Sequence, residues 1–162
     1  MRTKLTALLL TAAAVAAAQS SNGYAFFAPG GAATGLDSRA TYEAGFGVEG
    51  ILGKGIGLAA ELNCRSYHAC YGGSTLALFS LGGSYHFIQD KQQKFDPFVA
   101  GGWSADLSAA VFGEAASLLY CSGGANYWLS RRLGFRCEFR DDTGRLRFGT
   151  HYWGFRMGVA IR

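Results

Sequence analysis

Bulky apolar residues alternate with small or polar ones along most of the chain. The pattern is clearest at 152–161, where the bulky apolar positions are Trp153, Phe155, Met157, Val159 and Ile161. A repeat of two residues is typical of a β-strand with two unlike faces, because successive side chains point to opposite sides. One face of this segment therefore requires an apolar environment, and the other does not.

The same division recurs upstream. It is clear at 41–52, 56–65 and 133–139, and weaker at 24–28, 75–87, 95–107 and 117–129. With the final segment, these predict about eight strands, and bacterial membrane barrels have an even strand number. The predicted fold class is all-β, an eight-stranded antiparallel up-and-down transmembrane β-barrel.

The connections between these segments alternate in length. Those at 53–55, 89–94 and 130–132 are short, whereas those at 29–40, 66–74, 108–116 and 141–150 are longer. Short periplasmic turns and long external loops are typical of outer-membrane barrels, with both termini on the periplasmic side. We expect the same topology here.

Strand register can be predicted by counting back from a short turn. A three-residue turn at 53–55 sets Leu52 opposite Ile56 and, further along, Glu43 opposite Arg65. The remaining predicted pairs are Phe46 with Leu62, Leu129 with Leu133, Tyr127 with Phe135, and Asn126 with Arg136.

The first 18 residues have the layout of a secretory signal peptide. Arg2 and Lys4 precede an apolar run, which ends in small residues at Ala18 and is followed by polar Gln19. The run is shorter than the roughly 20 apolar residues of a spanning helix. We therefore expect a signal peptide at 1–18 and one outer-membrane β-barrel domain at 19–162.

Composition agrees with an exported membrane barrel. Charged residues make up only 16% of the chain and aromatic residues 14%, whereas an average protein has about 25% charged residues. The formal net charge of +4 includes Arg2 and Lys4 of the predicted leader, and the remaining excess is too small to indicate nucleic-acid binding.

The polar face carries charges of both signs in balance. We predict that they pair inside the narrow lumen, since an unpaired buried charge is costly. The predicted lumen network consists of Glu43, Glu49, Glu61, Arg65, His86, Arg136, Glu138, Arg140 and Arg156.

The apolar face has aromatic residues towards both ends, as membrane-spanning barrels do at the two interfaces. The predicted bands are Tyr42, Trp103, Phe139 and Trp153 on the loop side and Tyr85, Phe87, Tyr127 and Phe135 on the turn side. They favour a membrane barrel over the alternative, a soluble exported barrel with an apolar ligand inside.

Three motifs resemble the small outer-membrane barrel family typified by the OmpA transmembrane domain and OmpX. They are Gly-Ser-Tyr-His-Phe at 83–87, Asp-Pro-Phe-Val-Ala-Gly-Gly at 96–102 and Gly-Phe-Arg-Cys-Glu-Phe-Arg at 134–140. The resemblance implies that the partners are outer-membrane lipid, lipopolysaccharide and the barrel-assembly machinery. The chain departs from the family at its end, where Arg162 replaces the usual Phe.

Residues 45–50 match the GxGxxG pattern of dinucleotide sites. That function needs a helix after the motif, but here the motif lies within an alternating strand. We instead expect its glycines to make room for bulky side chains in the lumen.

Two thiols and an imidazole fall within 64–70. A disulfide between Cys64 and Cys70 is preferred over free thiols, and a metal site is less favoured because nothing adjacent completes the ligand set. Cys121 and Cys137 lie on the apolar face of neighbouring predicted strands. In the predicted register they are offset along the strands by about 13 Å. That separation is too great for a disulfide, so we expect both to be reduced.

Some outer-membrane barrels of this size are lipid A deacylases or acyltransferases, so His68, His86 and His151 are candidate bases. Ser66 and Ser84 each precede a histidine by two residues, but neither enzyme family's motif is present. We predict no catalytic residue, metal or cofactor.

Arg145 and Arg147 are candidate contacts for lipopolysaccharide phosphates. The sequence does not identify an external ligand.

Overall fold

The computed structural model describes residues 20–34, 37–67, 74–87, 94–107, 117–144 and 150–162. The predicted leader at 1–18 lies outside these residues. The strands are β1 (Ser20–Thr34), β2 (Asp37–Gly53), β3 (Ile56–Tyr67), β4 (Ser74–His86), β5 (Phe95–Asp106), β6 (Ser117–Trp128), β7 (Leu133–Gly144) and β8 (Thr150–Ile161).

Each strand pairs antiparallel with its neighbour in sequence, and β1 also pairs with β8, so the sheet closes into a barrel. The closing register runs from Gly23 opposite Ile161 to Thr34 opposite Thr150. The predicted eight-stranded up-and-down barrel is confirmed. No helix in the described parts of the chain is long and apolar enough to cross a membrane.

The register in the first hairpin is confirmed except beside its turn. Glu43 lies opposite Arg65, as predicted, but Gly53 rather than Leu52 lies opposite Ile56. The turn itself is tighter than predicted: Lys54 has a φ of 50° and Gly55 a φ of 77°. The register shifts between residues 51 and 53 to meet this left-handed turn.

The second hairpin has the register predicted for it. Tyr127 lies opposite Phe135 and Asn126 opposite Arg136. The backbone N–H of Leu129 donates to the carbonyl of Leu133 at 2.9 Å, which closes the turn.

The predicted loop at 29–40 is largely strand, which corrects the sequence interpretation. β1 continues to Thr34 and pairs with β2 from Asp37 onwards. The segment lacks alternation because it is rich in glycine and alanine, yet backbone pairing does not need large side chains. Similarly, β7 continues to Gly144, four residues into the predicted loop at 141–150.

The two faces of the sheet differ sharply in exposure. Phe46 on the outer face is 59% exposed, whereas Glu61 on the inner face is 5% exposed. All eight side chains of the two predicted aromatic bands are exposed on the outside. This arrangement is the reverse of that needed by a soluble barrel holding an apolar ligand.

Candidate functional site

All nine side chains of the predicted lumen network lie buried inside the barrel. Alternation projects them inward, because each occupies an inner-face position of its strand. Glu43 and Glu49 come from β2, Glu61 and Arg65 from β3, His86 from β4, Arg136, Glu138 and Arg140 from β7, and Arg156 from β8.

Six charged side chains form a closed ring of alternating sign, here called the interior ring. Arg140 contacts Glu61 at 3.1 Å and Asp142 at 2.9 Å. Arg65 contacts Glu43 at 2.7 Å and also pairs with Asp142. Arg156 contacts Glu61 at 3.0 Å and also pairs with Glu43, which closes the ring. Each arginine therefore binds two carboxylates.

Aromatic rings inside the barrel cover the arginine planes. The guanidinium carbon of Arg140 lies 3.6 Å from the centre of the Tyr120 ring, and that of Arg156 lies 4.2 Å from the centre of Phe26. Stacking on an aromatic face stabilises a desolvated cation, so no additional carboxylate is needed on that side of the guanidinium. Ion pairs and aromatic rings thus lie together in the interior.

A second group, here called the His86 cluster, lies nearer the end of the barrel with the short turns. It consists of Glu49, Ser84, His86 and Asp96. The Nδ1 atom of His86 lies 2.8 Å from Asp96, and its Nε2 atom lies 3.1 Å from Glu49. The Ser84 hydroxyl donates to Glu49.

Arg136 and Glu138 connect the two groups. Arg136 lies 3.5 Å from Glu49 in the His86 cluster and 3.0 Å from Glu138. Glu138 in turn lies 3.8 Å from Arg156 of the interior ring. The charged side chains therefore form one continuous network along the barrel axis.

Three further acids are buried but absent from the predicted lumen network: Asp96, Asp106 and Asp142. The predicted balance of four glutamates against four arginines is therefore incomplete, since seven carboxyl groups are buried among the described residues. Asp142 is in phase with Glu138 and Arg140, but it falls within 141–150, which the sequence predicts to be a loop, so the predicted network does not include it.

The candidate pair of Ser84 with His86 does not form, whereas the pair of Ser66 with His68 stays a prediction because His68 lies outside the described residues. Ser84 donates to Glu49 rather than to His86, and the Ser66 hydroxyl lies 3.1 Å from that of Thr75. His151 is exposed on the outer face, 3.0 Å from Asp141. His68, Arg145 and Arg147 lie outside the described residues, so the predicted anion contact stays a prediction.

Three of the four cysteines lie within the described residues. Cys64 lies exposed on β3 and forms no disulfide with any described residue. Its predicted partner Cys70 lies outside the described residues, so that disulfide stays a prediction. Cys121 and Cys137 are free. Cys137 lies opposite Ala125, and Cys121 lies opposite Asp141. Within the described ranges, no group of three or more His, Cys, Asp or Glu residues is placed to hold a metal ion.

Two glycines of the GxGxxG segment, Gly45 and Gly47, make room for interior side chains, as expected. A Cβ atom on Gly45 would lie 2.8 Å from the Phe26 ring, and one on Gly47 would lie 2.5 Å from the Tyr24 ring. A separation below 3 Å is a steric clash, so both positions require glycine. The motif serves packing within β2, with no helix after it.

Solved structures with the same fold are outer-membrane barrels and designed barrels. The N-terminal domain of Pseudomonas aeruginosa OprF is 18% identical, with a TM-score of 0.59 over 88% of this chain and 97% of that one. Neisserial surface protein A is 15% identical, with a TM-score of 0.66 over 87% and 96%. A de novo designed transmembrane barrel is 13% identical, with a TM-score of 0.54 over 86% and 93%. No family model matches the chain, and no curated protein matches it.

These similarities show the fold alone. The presence of a designed barrel among them illustrates that this architecture needs no particular activity.

Proposed function

We propose that this protein is an outer-membrane β-barrel with a structural or surface-interaction role, without enzymatic activity, whose lumen is closed by its own charged side chains. The observation that carries the proposal is the inverted distribution of side chains. Large apolar residues cover the outside, while charged residues fill the inside. Only a lipid surrounding stabilises such an outside, because burying apolar surface away from water is favourable.

Heat-modifiable migration of the full chain tests the membrane location. We expect the protein in the outer-membrane fraction, migrating differently in SDS gels before and after boiling, because a closed barrel resists SDS until heated. Recovery in soluble fractions only would overturn the proposal.

The hydrogen-bonding of the serine candidates supports the absence of lipid-modifying activity. Ser84 and His86 both bind Glu49 inside the barrel, so neither faces the lipid. A hydrolase needs its nucleophile within reach of the base. We expect lipid A composition to be the same in cells that express the wild type and in cells that express Ser66→Ala, Ser84→Ala, His68→Gln or His86→Gln. A change in lipid A that depends on the protein and is lost in one variant would establish the enzyme instead.

A further inference from the structure

The end of the barrel that carries the short turns is ringed by basic side chains. Lys54 lies in the turn between β2 and β3, Lys94 directly precedes β5, and Arg131 and Arg132 lie in the turn between β6 and β7. All four are exposed. We refer to them as the basic rim.

Carboxylates do not neutralise the basic rim within the described residues. Among the Asp and Glu residues whose side chains are described, none is exposed. Asp141 is half-buried, and the others are buried in the lumen. Asp141 also lies at the opposite end, beside His151. The described part of this rim is therefore positive.

The basic rim begins where the apolar surface ends. Lys94 is followed by Phe95, which is 53% exposed, and Arg132 is followed by Leu133, which is 44% exposed. Lys54 lies between Leu52 and Ile56, both of which are exposed. Because a strand rises about 3.3 Å per residue, these charges lie within a few ångströms of the apolar band. That is the depth of lipid headgroups, and long basic side chains extend their charge towards it.

The rim residues also surround the barrel rather than forming one patch. The turns that carry them join β2 to β3, β4 to β5 and β6 to β7, so neighbouring basic positions are separated by two strands. A single small anion cannot contact all of them, but a layer of headgroups can. Arg162 differs, because its guanidinium carbon lies 3.8 Å from the centre of the Trp128 ring, and the Trp128 side chain is buried in the barrel.

We propose that the basic rim binds the phosphate groups of anionic phospholipids in the leaflet that surrounds the turn end of the barrel. The inference rests on the proposed membrane location. A cluster of Lys and Arg next to an apolar surface recognises anionic lipid in this way, through attraction to the headgroup charge.

Electron spin resonance of the refolded full chain in phosphatidylcholine vesicles tests the proposal. The probes are spin-labelled phosphatidylcholine and spin-labelled phosphatidylglycerol, and each is scored for the fraction immobilised by the protein. We expect about a fivefold preference for phosphatidylglycerol in the wild type, the ratio that corresponds to about 1 kcal/mol. The preference is expected to disappear near 1 M NaCl, where the screening length falls to about 3 Å.

Variants locate the source of the preference. The quadruple variant Lys54→Gln, Lys94→Gln, Arg131→Gln and Arg132→Gln is expected to immobilise both lipids equally. The matched control, Arg39→Gln, removes an exposed charge at the loop end and is expected to keep the preference. Heat-modifiable migration confirms that each variant is folded.

The results separate two kinds of failure. If neither spin-labelled lipid is immobilised, the proposed membrane location itself is wrong. If both are immobilised but the wild type shows no preference, or the quadruple variant keeps the preference, the membrane location stands and the lipid-binding rim is refuted.

Discussion

Arg156 shows how much a single side chain of the interior ring contributes. It is 2% exposed and contacts Glu61 and Glu43. In Arg156→Met, two buried carboxylates lose a cation, and removing one partner of a buried ion pair costs about 3–5 kcal/mol. We expect a loss of that size in the free energy of unfolding, measured by urea titration in zwitterionic vesicles.

Two further variants serve as controls for the Arg156→Met measurement. Arg131→Met removes an exposed arginine and is expected to change stability by less than about 0.5 kcal/mol. Arg156→Lys keeps the charge but loses the planar fork that serves two carboxylates, so an intermediate loss is expected. Equal losses in Arg156→Met and Arg131→Met would show that the ring does not stabilise the barrel.

Gly47 tests how closely the interior is packed. Its missing Cβ would lie 2.5 Å from the Tyr24 ring, whereas a Cβ on Gly23 would meet nothing within 4 Å. We expect Gly47→Ala to destabilise the barrel by about 1–3 kcal/mol through overpacking, and Gly23→Ala to be neutral or slightly stabilising. Urea titration of both variants provides the comparison.

Repeating Gly47→Ala in a Tyr24→Leu variant tests whether the loss of stability comes from the clash with the Tyr24 ring. In Tyr24→Leu the ring is absent, so the additional cost of Gly47→Ala is expected to fall by at least half. Such non-additivity is the signature of residues in direct contact. An unchanged cost would place the strain elsewhere in β2.

At the scale of elements, the register between β2 and β3 can be tested by adding a single cysteine. Ala44 lies opposite the native Cys64 on the outer face. Directly opposed residues have Cα atoms about 4.5–5.5 Å apart, within the range of a disulfide. In a Cys70→Ser background we expect Ala44→Cys to form a disulfide with Cys64 under mild oxidation, detected by mass spectrometry of unreduced peptides.

Tyr42→Cys is the control for that experiment. Tyr42 lies opposite Ser66, two residues away from Cys64 in the register, which adds about 6.6 Å along the strand. It is expected to remain reduced. Cross-linking of Tyr42→Cys but not of Ala44→Cys would mean that the register is shifted by two residues.

At the scale of the whole molecule, the interior ring spans the lumen and links β2, β3, β7 and β8. An eight-stranded barrel has an interior that side chains just fill. We therefore expect the refolded protein to show no stable ion conductance in planar bilayers. The folded double variant Glu61→Ala/Arg140→Ala, which removes both members of one ion pair, is expected to conduct in discrete steps. Steady conductance by the wild type would contradict a closed lumen.

The sequence by itself determined the strand number, the two faces and most of both predicted hairpin registers. These are local properties, because a period of two assigns each side chain to a face and a short turn sets which residues meet. It also identified Glu43 opposite Arg65 and all nine members of the predicted lumen network, which the structure places inside the barrel.

Only the tertiary structure decided which of those charges meet. Arg156 and Glu43 are 113 residues apart in the chain, and only the closure of β1 onto β8 brings β8 near β2. Asp142 joins the interior ring because β7 runs beyond the end that alternation indicated, and the glycine- and alanine-rich end of β1 pairs without any pattern to reveal it. In each case the cause is contact between strands in the closed sheet, which no local period of the sequence encodes.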